Sequence, residues 1–219
     1  MYEGLQHLKR EVKNKTIFIF GGGASLQDFD YSTVEDEITF AINDAYRFLP
    51  NAKVIYWVDD TWISENYENV MAHKCQYRIT SKFSQHLGNR VTKGIANSII
   101  LKRTGDAGFD PDIECVRGNN SGVQILNLAI NLKPKNIVLL GYDMKKTNKK
   151  THFHTFRRPH IKDSIYTDLF IPSINSLAQD FKQKYFTINI VNANHDSAVK
   201  CFKFEDYKNY INTEGKQNE

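Results

Sequence analysis

Ile17-Phe18-Ile19-Phe20-Gly21-Gly22-Gly23-Ala24-Ser25-Leu26 is the stretch whose reading decides the fold. Four apolar residues, two of them aromatic, run unbroken into three glycines, a small residue and a serine. A strand buried on both faces reads as a continuous apolar run, and it ends where residues able to turn sharply begin. Glycines remove the side chains that would hold a ligand away from backbone N–H groups, and a turn rich in such groups suits phosphate. The pattern is not the full G-x-G-x-x-G fingerprint, and the lysine of a P-loop is missing. On the motif alone, a strand-ending turn without a ligand is an equal reading.

The same grammar recurs down the chain. Residues 4–13 suit a short helix with Leu5, Leu8 and Val12 on one side. The run 38–42 predicts a second buried strand, ending at Asn43-Asp44, with a helical stretch over 45–49 stopped by Pro50. The run 54–58 predicts a third strand, ending at Asp59-Asp60. Between about 70 and 118 the pattern is weaker, with strands expected over 76–80 and 98–102, the second at an edge, and a loop over 104–111. Apolar residues at 125, 126, 128, 129 and 132 predict a well-buried helix capped by Asn120 or Ser121 and ended by Pro134. A central strand over 137–141 runs into Tyr142-Asp143, and a helix over 174–185 leads to a last strand over 187–191.

Strands alternating with helices predict an α/β fold: a Rossmann-like, doubly wound, mostly parallel sheet with a basic lid segment. In such sheets ligands lie outside the carboxyl ends of the strands, where the glycines, Asn43, Asp59 and Asp143 all fall. The expected organisation is a single nucleotide-binding domain over 1–211, a lid over about 144–168, and a polar, disordered tail over 212–219.

Composition agrees with one globular unit. The 219 residues are 41% hydrophobic and 12% aromatic, enough for a core, yet no apolar run is long enough to span a membrane. The charged start carries no apolar signal region, and three widely spaced cysteines give no disulfide or zinc pattern, so a cytoplasmic location is expected. Net charge is only +4, but Lys145, Lys146, Lys149, Lys150, Arg157 and Arg158 cluster between 145 and 160 with no acid among them. That stretch suits an anionic substrate; an ordinary basic surface loop is the plainer alternative.

Gly21-Gly22-Gly23-Ala24-Ser25-Leu26 followed by Asp30-Tyr31-Ser32 resembles the G-x-G-P-S-L…D-Y-S opening of a bacterial α-2,3/2,8-sialyltransferase family. Asn120-Ser121-Gly122 resembles its T-S-G helix start, Leu140-Gly141-Tyr142-Asp143 its S-G-I-D strand end, and Asn194-His195-Asp196-Ser197 its late P-N-S. The ordered set spans residues 17–200, with Ala24 in place of the family's Pro and Asp59 in place of an Asn. The chain is also similar to a group of uncharacterised, often phage-borne proteins with N-N-S-G and G-[FY]-D-M…T-H-[WF]-H segments, which would place it in the cytoplasm of a bacterial host. A related archaeal pterin pyrophosphokinase-like group has a similar opening.

The resemblance implies a glycosyltransferase with a nucleotide-sugar donor, working by direct displacement and requiring no metal. Gly21, Gly22, Gly23, Ser25, Asn43, Asp59, Asn120, Ser121, Gly122 and Asp143 would bind the nucleotide. A lid histidine, His154 before His152, would be the base, since imidazole titrates near neutral pH; Tyr142 or Tyr166 is the alternative. His160 is a third histidine of the same segment, and His195-Asp196 would either complete the pocket or form a surface turn. Two competing readings stand beside this one. A pterin-type diphosphotransferase would use ATP and hold Mg²⁺ on Asp59 and Asp60, an acidic pair that could equally hold Mg²⁺ or Mn²⁺ as in metal-dependent glycosyltransferases, bind ribose hydroxyls, or form a plain solvated loop. A non-catalytic phage protein would bind nucleotide or nucleic acid through the basic loop. The acceptor, glycan or nucleic acid, and any homo-oligomer are left open by the sequence.

Overall fold

The computed structural model describes residues 2–83, 98–146, 152–153, 162–184 and 187–212. Among the described residues, nine strands form one sheet: β1 (Thr16–Phe20), β2 (Thr39–Ile42), β3 (Val54–Trp57), β4 (Tyr77–Phe83), β5 (Ile99–Gly105), β6 (Cys115–Arg117), β7 (Asn136–Leu140), β8 (Asn189–Asn192) and β9 (Lys203–Phe204). Their order is β6-β5-β4-β3-β2-β1-β7-β8-β9, and every neighbouring pair is parallel. The fold is therefore α/β, Rossmann-like and doubly wound, with a sheet that is wholly rather than mostly parallel. The chain steps outward from β1 to β6, crosses back, and resumes on the other side of β1 at β7. The β1/β7 junction is the switch point of the sheet.

Parallel crossovers share one hand, so the outward and returning runs leave their connections on opposite faces. On the returning run, α3 (Ser121–Asn131) and α5 (Ile171–Lys184) join α1 (Tyr2–Val12) over the face that carries Ile17, Ile19, Ile137 and Leu139. On the outward run, α2 (Asp60–Ala72) and the short 3-10 turns after β1 and β2 cover the face that carries Phe18, Phe20, Trp57 and Leu140. A short helix, α4 (Asp163–Ile165), and a π-turn (Tyr166–Phe170) lead into α5. Alternate side chains of β1 thus enter two different cores, which is why the strand reads as unbroken hydrophobicity.

The fully buried α3 explains its polar residues. Asn127 accepts from the N–H groups of Asp110 and Arg117, both at 3.0 Å, and donates to Asp110 O at 2.8 Å. Gln124 accepts from the Tyr56 hydroxyl at 2.8 Å and donates to Gly118 O at 2.8 Å. Asn127 thus satisfies backbone of the loop between β5 and β6 at Asp110, and Gln124 that of the turn between β6 and α3 at Gly118.

Several sequence expectations need correction. The strand over 98–102 is not an edge: β5 lies between β4 and β6 and runs on through Gly105. The 45–49 helix is a 3-10 turn over Asn43–Phe48, since Pro50 leaves no room for a full α-turn. Helix α2 and strands β6 and β9 carry no clear sequence signal. The buried face of α2 is Trp62, Ile63, Asn66 and Val70, an apolar stripe broken by a polar residue. Strands of three and two residues are too short for periodicity. Residues 213–219 of the expected tail lie outside the described residues. Among the described residues, no helix is long and apolar enough to cross a membrane.

A polar clamp ties α1 to the amino ends of β3 and β4. Glu11 accepts from Lys53 Nζ at 3.0 Å and from the Tyr77 hydroxyl at 2.7 Å. Partial burial acts to raise the Glu11 pKa, but the hydrogen bonds from Tyr77 and Lys53 and the Lys53 charge outweigh it, and the carboxyl sits below its ordinary 4.5. A depressed native pKa contributes stability above the unfolded value and loses it as pH falls through the native one. Glu11→Gln should therefore be less stable than the parent near neutral pH, and the difference should close on acidification, read as urea midpoints from about pH 7 to about pH 3.

Candidate functional site

A cavity of about 270 Å³ opens at the carboxyl ends of β1, β2, β3 and β7, over the switch point. The topology delivers its walls: each parallel strand ends on the same side, and each turn that follows contributes a few residues. Gly21, Gly22, Gly23, Asn43, Asp59, Asn120, Ser121, Gly122, Tyr142, Asp143 and His152, all singled out in the sequence, line it. Ser25 does not. His154, His160 and most of the basic segment lie outside the described residues.

The glycine turn is fastened to the end of β7. Gly21 N–H donates to Leu140 O at 2.7 Å, and Gly23 N–H to Gly141 O at 2.9 Å. A Cβ on Gly21 would stand 2.7 Å from Gly141 O, and one on Gly23 would stand 2.5 Å from both Gly141 O and Asp143 Oδ1. Close backbone approach thus requires glycine at both positions, and two of the three N–H groups expected to face phosphate are spent on protein. Among the described residues the Gly22 N–H has no such partner.

Asp143 is 1% exposed and acts as the rivet of this junction. Its Oδ2 accepts from Ser25 N–H at 2.8 Å; its Oδ1 accepts from the Ser25 hydroxyl at 2.5 Å and from Asn194 Nδ2 at 2.8 Å. Ser25 and Asp143, both expected to contact nucleotide, hold each other, and of the two only Asp143 lines the cavity. The late Asn194–Ser197 turn buttresses the same loop, with the Ser197 hydroxyl donating to Tyr142 O at 2.6 Å. His195 and Asp196 are exposed on its outside, as a surface turn.

Tyr142 is buried and donates to Gly122 O at 3.0 Å; burial pushes its pKa well above that of an ordinary phenol. That position serves packing rather than proton abstraction.

Three features of the cavity suit an anionic, hydrogen-bonding ligand. First, α3 starts there. Asn120 caps it by accepting from Val123 N–H at 3.1 Å, while the N–H groups of Ser121 and Gly122, which have no acceptor inside the helix, lie at the cavity. Second, Asn43 sits in the left-handed region at φ 49°, and its Oδ1 is buried with no hydrogen-bond partner among the described residues. An unpartnered buried carbonyl costs free energy unless a ligand or water meets it. Third, Gly141 at φ 69° and Met144 at φ 48° bend the chain after β7 so that Lys145 reaches the lining.

His152 lies directly over the glycine turn: a Cβ on Gly22 would meet its Cδ2 at 2.8 Å. The next residue anchors it. Phe153 N–H donates to Gly22 O at 3.2 Å, and its ring packs 4.9 Å from Phe48 and 6.3 Å from Tyr31. An imidazole held against a cavity that Lys145 also lines has the chemistry to take a proton from a ligand hydroxyl.

Asp59 caps α2, accepting from Thr61 N–H at 2.9 Å and Trp62 N–H at 3.1 Å, and Asp60 pairs with Lys82. Among the described residues, no group of three or more His, Cys, Asp or Glu is placed to hold a metal ion.

No protein-family model, curated protein or solved structure matches the chain.

Sequence reasoning did not single out Asn119, Met144 or Phe170, which also line the cavity, and read Tyr166 only as a possible base. The available signal was Pro172. It cannot donate to the carbonyl four residues back, and its ring crowds that turn. The π-turn over Tyr166–Phe170 lies immediately before it and carries both aromatic rings to the cavity.

Proposed function

We propose that this chain is a glycosyltransferase that uses a nucleotide-sugar donor, with the nucleotide seated in the cavity over the β1/β7 switch point. The observation that carries the reading is the meeting, around that one cavity, of the first residues of α3, Ser121 and Gly122, whose N–H groups have no acceptor inside the helix, and of Asn43, whose buried amide oxygen has no hydrogen-bond partner among the described residues. The first offers charge complementarity to phosphate, and the second offers an acceptor to a base or ribose donor. The resemblance of the glycine turn, N-S-G and G-Y-D segments to the sialyltransferase-like group supports the same assignment.

In this reading the acceptor hydroxyl gives its proton to the imidazole of His152 as its oxygen bonds to the anomeric carbon. The bond from that carbon to the phosphate oxygen breaks, and its electron pair leaves with the nucleotide. Lys145, Ser121 N–H and Gly122 N–H stabilise the charge that develops on the phosphate. Asp143, Ser25 and Asn194 act by holding the glycine turn and the β7 loop in register rather than by touching the donor. Metal ions are not required by this scheme, and the acceptor is a glycan or a nucleic acid.

The test is release of free nucleotide from CMP- and UDP-sugars in buffer containing a chelator, with water or added acceptor as the second substrate. Metal-independent release from one donor class is expected. Turnover only of ATP, and only with Mg²⁺, would replace this reading by a diphosphotransferase.

A further inference from the structure

We infer that Tyr166 and Phe170 form the wall that receives the flat face of the ligand's nucleobase, an inference that rests on the nucleotide reading and deepens it. Both residues line the cavity, with ring centroids 5.8 Å apart and planes at 81°. Tyr166 is 9% exposed, and Phe170 is half-buried. Burial raises the Tyr166 pKa, so its ring enters the site as a neutral phenol. Aromatic rings offer a π-face to any base and so bind it with little regard to sequence.

The placement of this wall is fixed relative to the anion-binding end of α3. Asn119 Nδ2 donates to Leu169 O, inside the π-turn, at 2.7 Å. Asn119 Oδ1 accepts at 3.0 Å from Asn120 Nδ2, and Asn120 is the cap of α3. The aromatic pair and the uncapped N–H groups of Ser121 and Gly122 are therefore one connected unit. A rigid spacing between a ring-binding surface and an anion-binding end selects a ligand in which a planar ring is joined to a phosphate, which is the chemistry of a nucleotide and not of a bare sugar phosphate. The remaining apolar lining, Ile42, Val58 and Met144, adds hydrophobic contact without direction. The other lining phenol, Tyr142, is already engaged with Gly122.

The experiment is calorimetric titration of the full chain with CMP, UMP, AMP and GMP and, separately, with D-ribose 5-phosphate, which lacks a base. Phe170→Ala and Phe170→Leu are compared with the parent; the leucine variant keeps apolar packing while removing the aromatic face. Both should weaken binding of the preferred nucleotide by about tenfold and change ribose 5-phosphate by less than about twofold. Phe170→Tyr should bind like the parent. Equal losses for both ligand types, or parental nucleotide affinity in Phe170→Leu, would overturn the inference. Absence of nucleotide binding by the parent itself would instead overturn the reading on which it rests.

Discussion

His152→Ala is expected to lower the rate of sugar transfer by about 10²–10⁴-fold, the usual contribution of a positioned general base. Nucleotide affinity should change far less, because His152 sits over Gly22 and not at the helix end that suits phosphate. The pairing of effects matters. Loss of kcat with near-constant nucleotide binding identifies a group that acts on the reacting atoms; equal loss of both identifies one that only shapes the cavity. His154→Ala is the necessary comparison, since the sequence ranks that histidine first and it lies outside the described residues. Parental kcat in His152→Ala together with a collapse in His154→Ala would move the base two residues along the chain. Phe153→Ala should reproduce part of the His152 defect by removing the ring contacts with Phe48 and Tyr31 that hold the imidazole in place, and Phe153→Tyr should restore it.

Asp143→Ala is the substitution expected to damage stability most. It removes the acceptor for three donors: the Ser25 N–H, the Ser25 hydroxyl and the Asn194 amide. A buried donor left unpaired costs about 1–3 kcal/mol. The Ser25 hydroxyl can rotate toward another acceptor, so the three costs do not add in full. A loss of about 3–5 kcal/mol is expected, which for a chain of this size lowers Tm by about 10 °C. Asp143→Asn keeps one carboxamide oxygen and should fall between the two. Turnover should drop in both variants even at temperatures where they remain folded, because the glycine turn and the β7 loop lose their common anchor. A change of less than about 1 kcal/mol in Asp143→Ala would show that the junction does not depend on the carboxylate.

The sequence carried the sheet better than it carried the site. Strands β1, β2, β3 and β7 are apolar on both faces, so their ends could be read closely, and the residues just after them do meet at one cavity. What it could not carry was the division of labour inside that cavity. Gly21, Gly23, Ser25 and Asp143 look like ligand contacts in one dimension because they follow strand ends, and only the hydrogen-bond partners reveal that Gly21 and Gly23 donate to Leu140 O and Gly141 O while Ser25 donates to Asp143. Tyr142 is misleading for the same reason: its position is right, but its hydroxyl is committed to Gly122. The aromatic wall was hidden because it depends on a π-turn, which breaks the 3.6-residue period on which helix reading relies. Helix α2 escaped because Asn66, donating to Trp62 O at 2.8 Å and accepting from Arg47, occupies a buried position that an apolar stripe would normally fill.

The measurement that bears most directly on the account is an amide correlation spectrum of the isotope-labelled full chain, titrated with CMP, UDP, GDP and ADP in buffer containing a chelator. The account predicts saturable shifts for one of these ligands at Gly22, Asn43, Ser121 and Gly122, which surround the cavity from three different turns, with the amino-end clamp at Glu11 and Tyr77 unmoved. Shifts confined to residues away from the β1/β7 junction, or no shift with any of the four, would contradict the claim that this cavity is a nucleotide site.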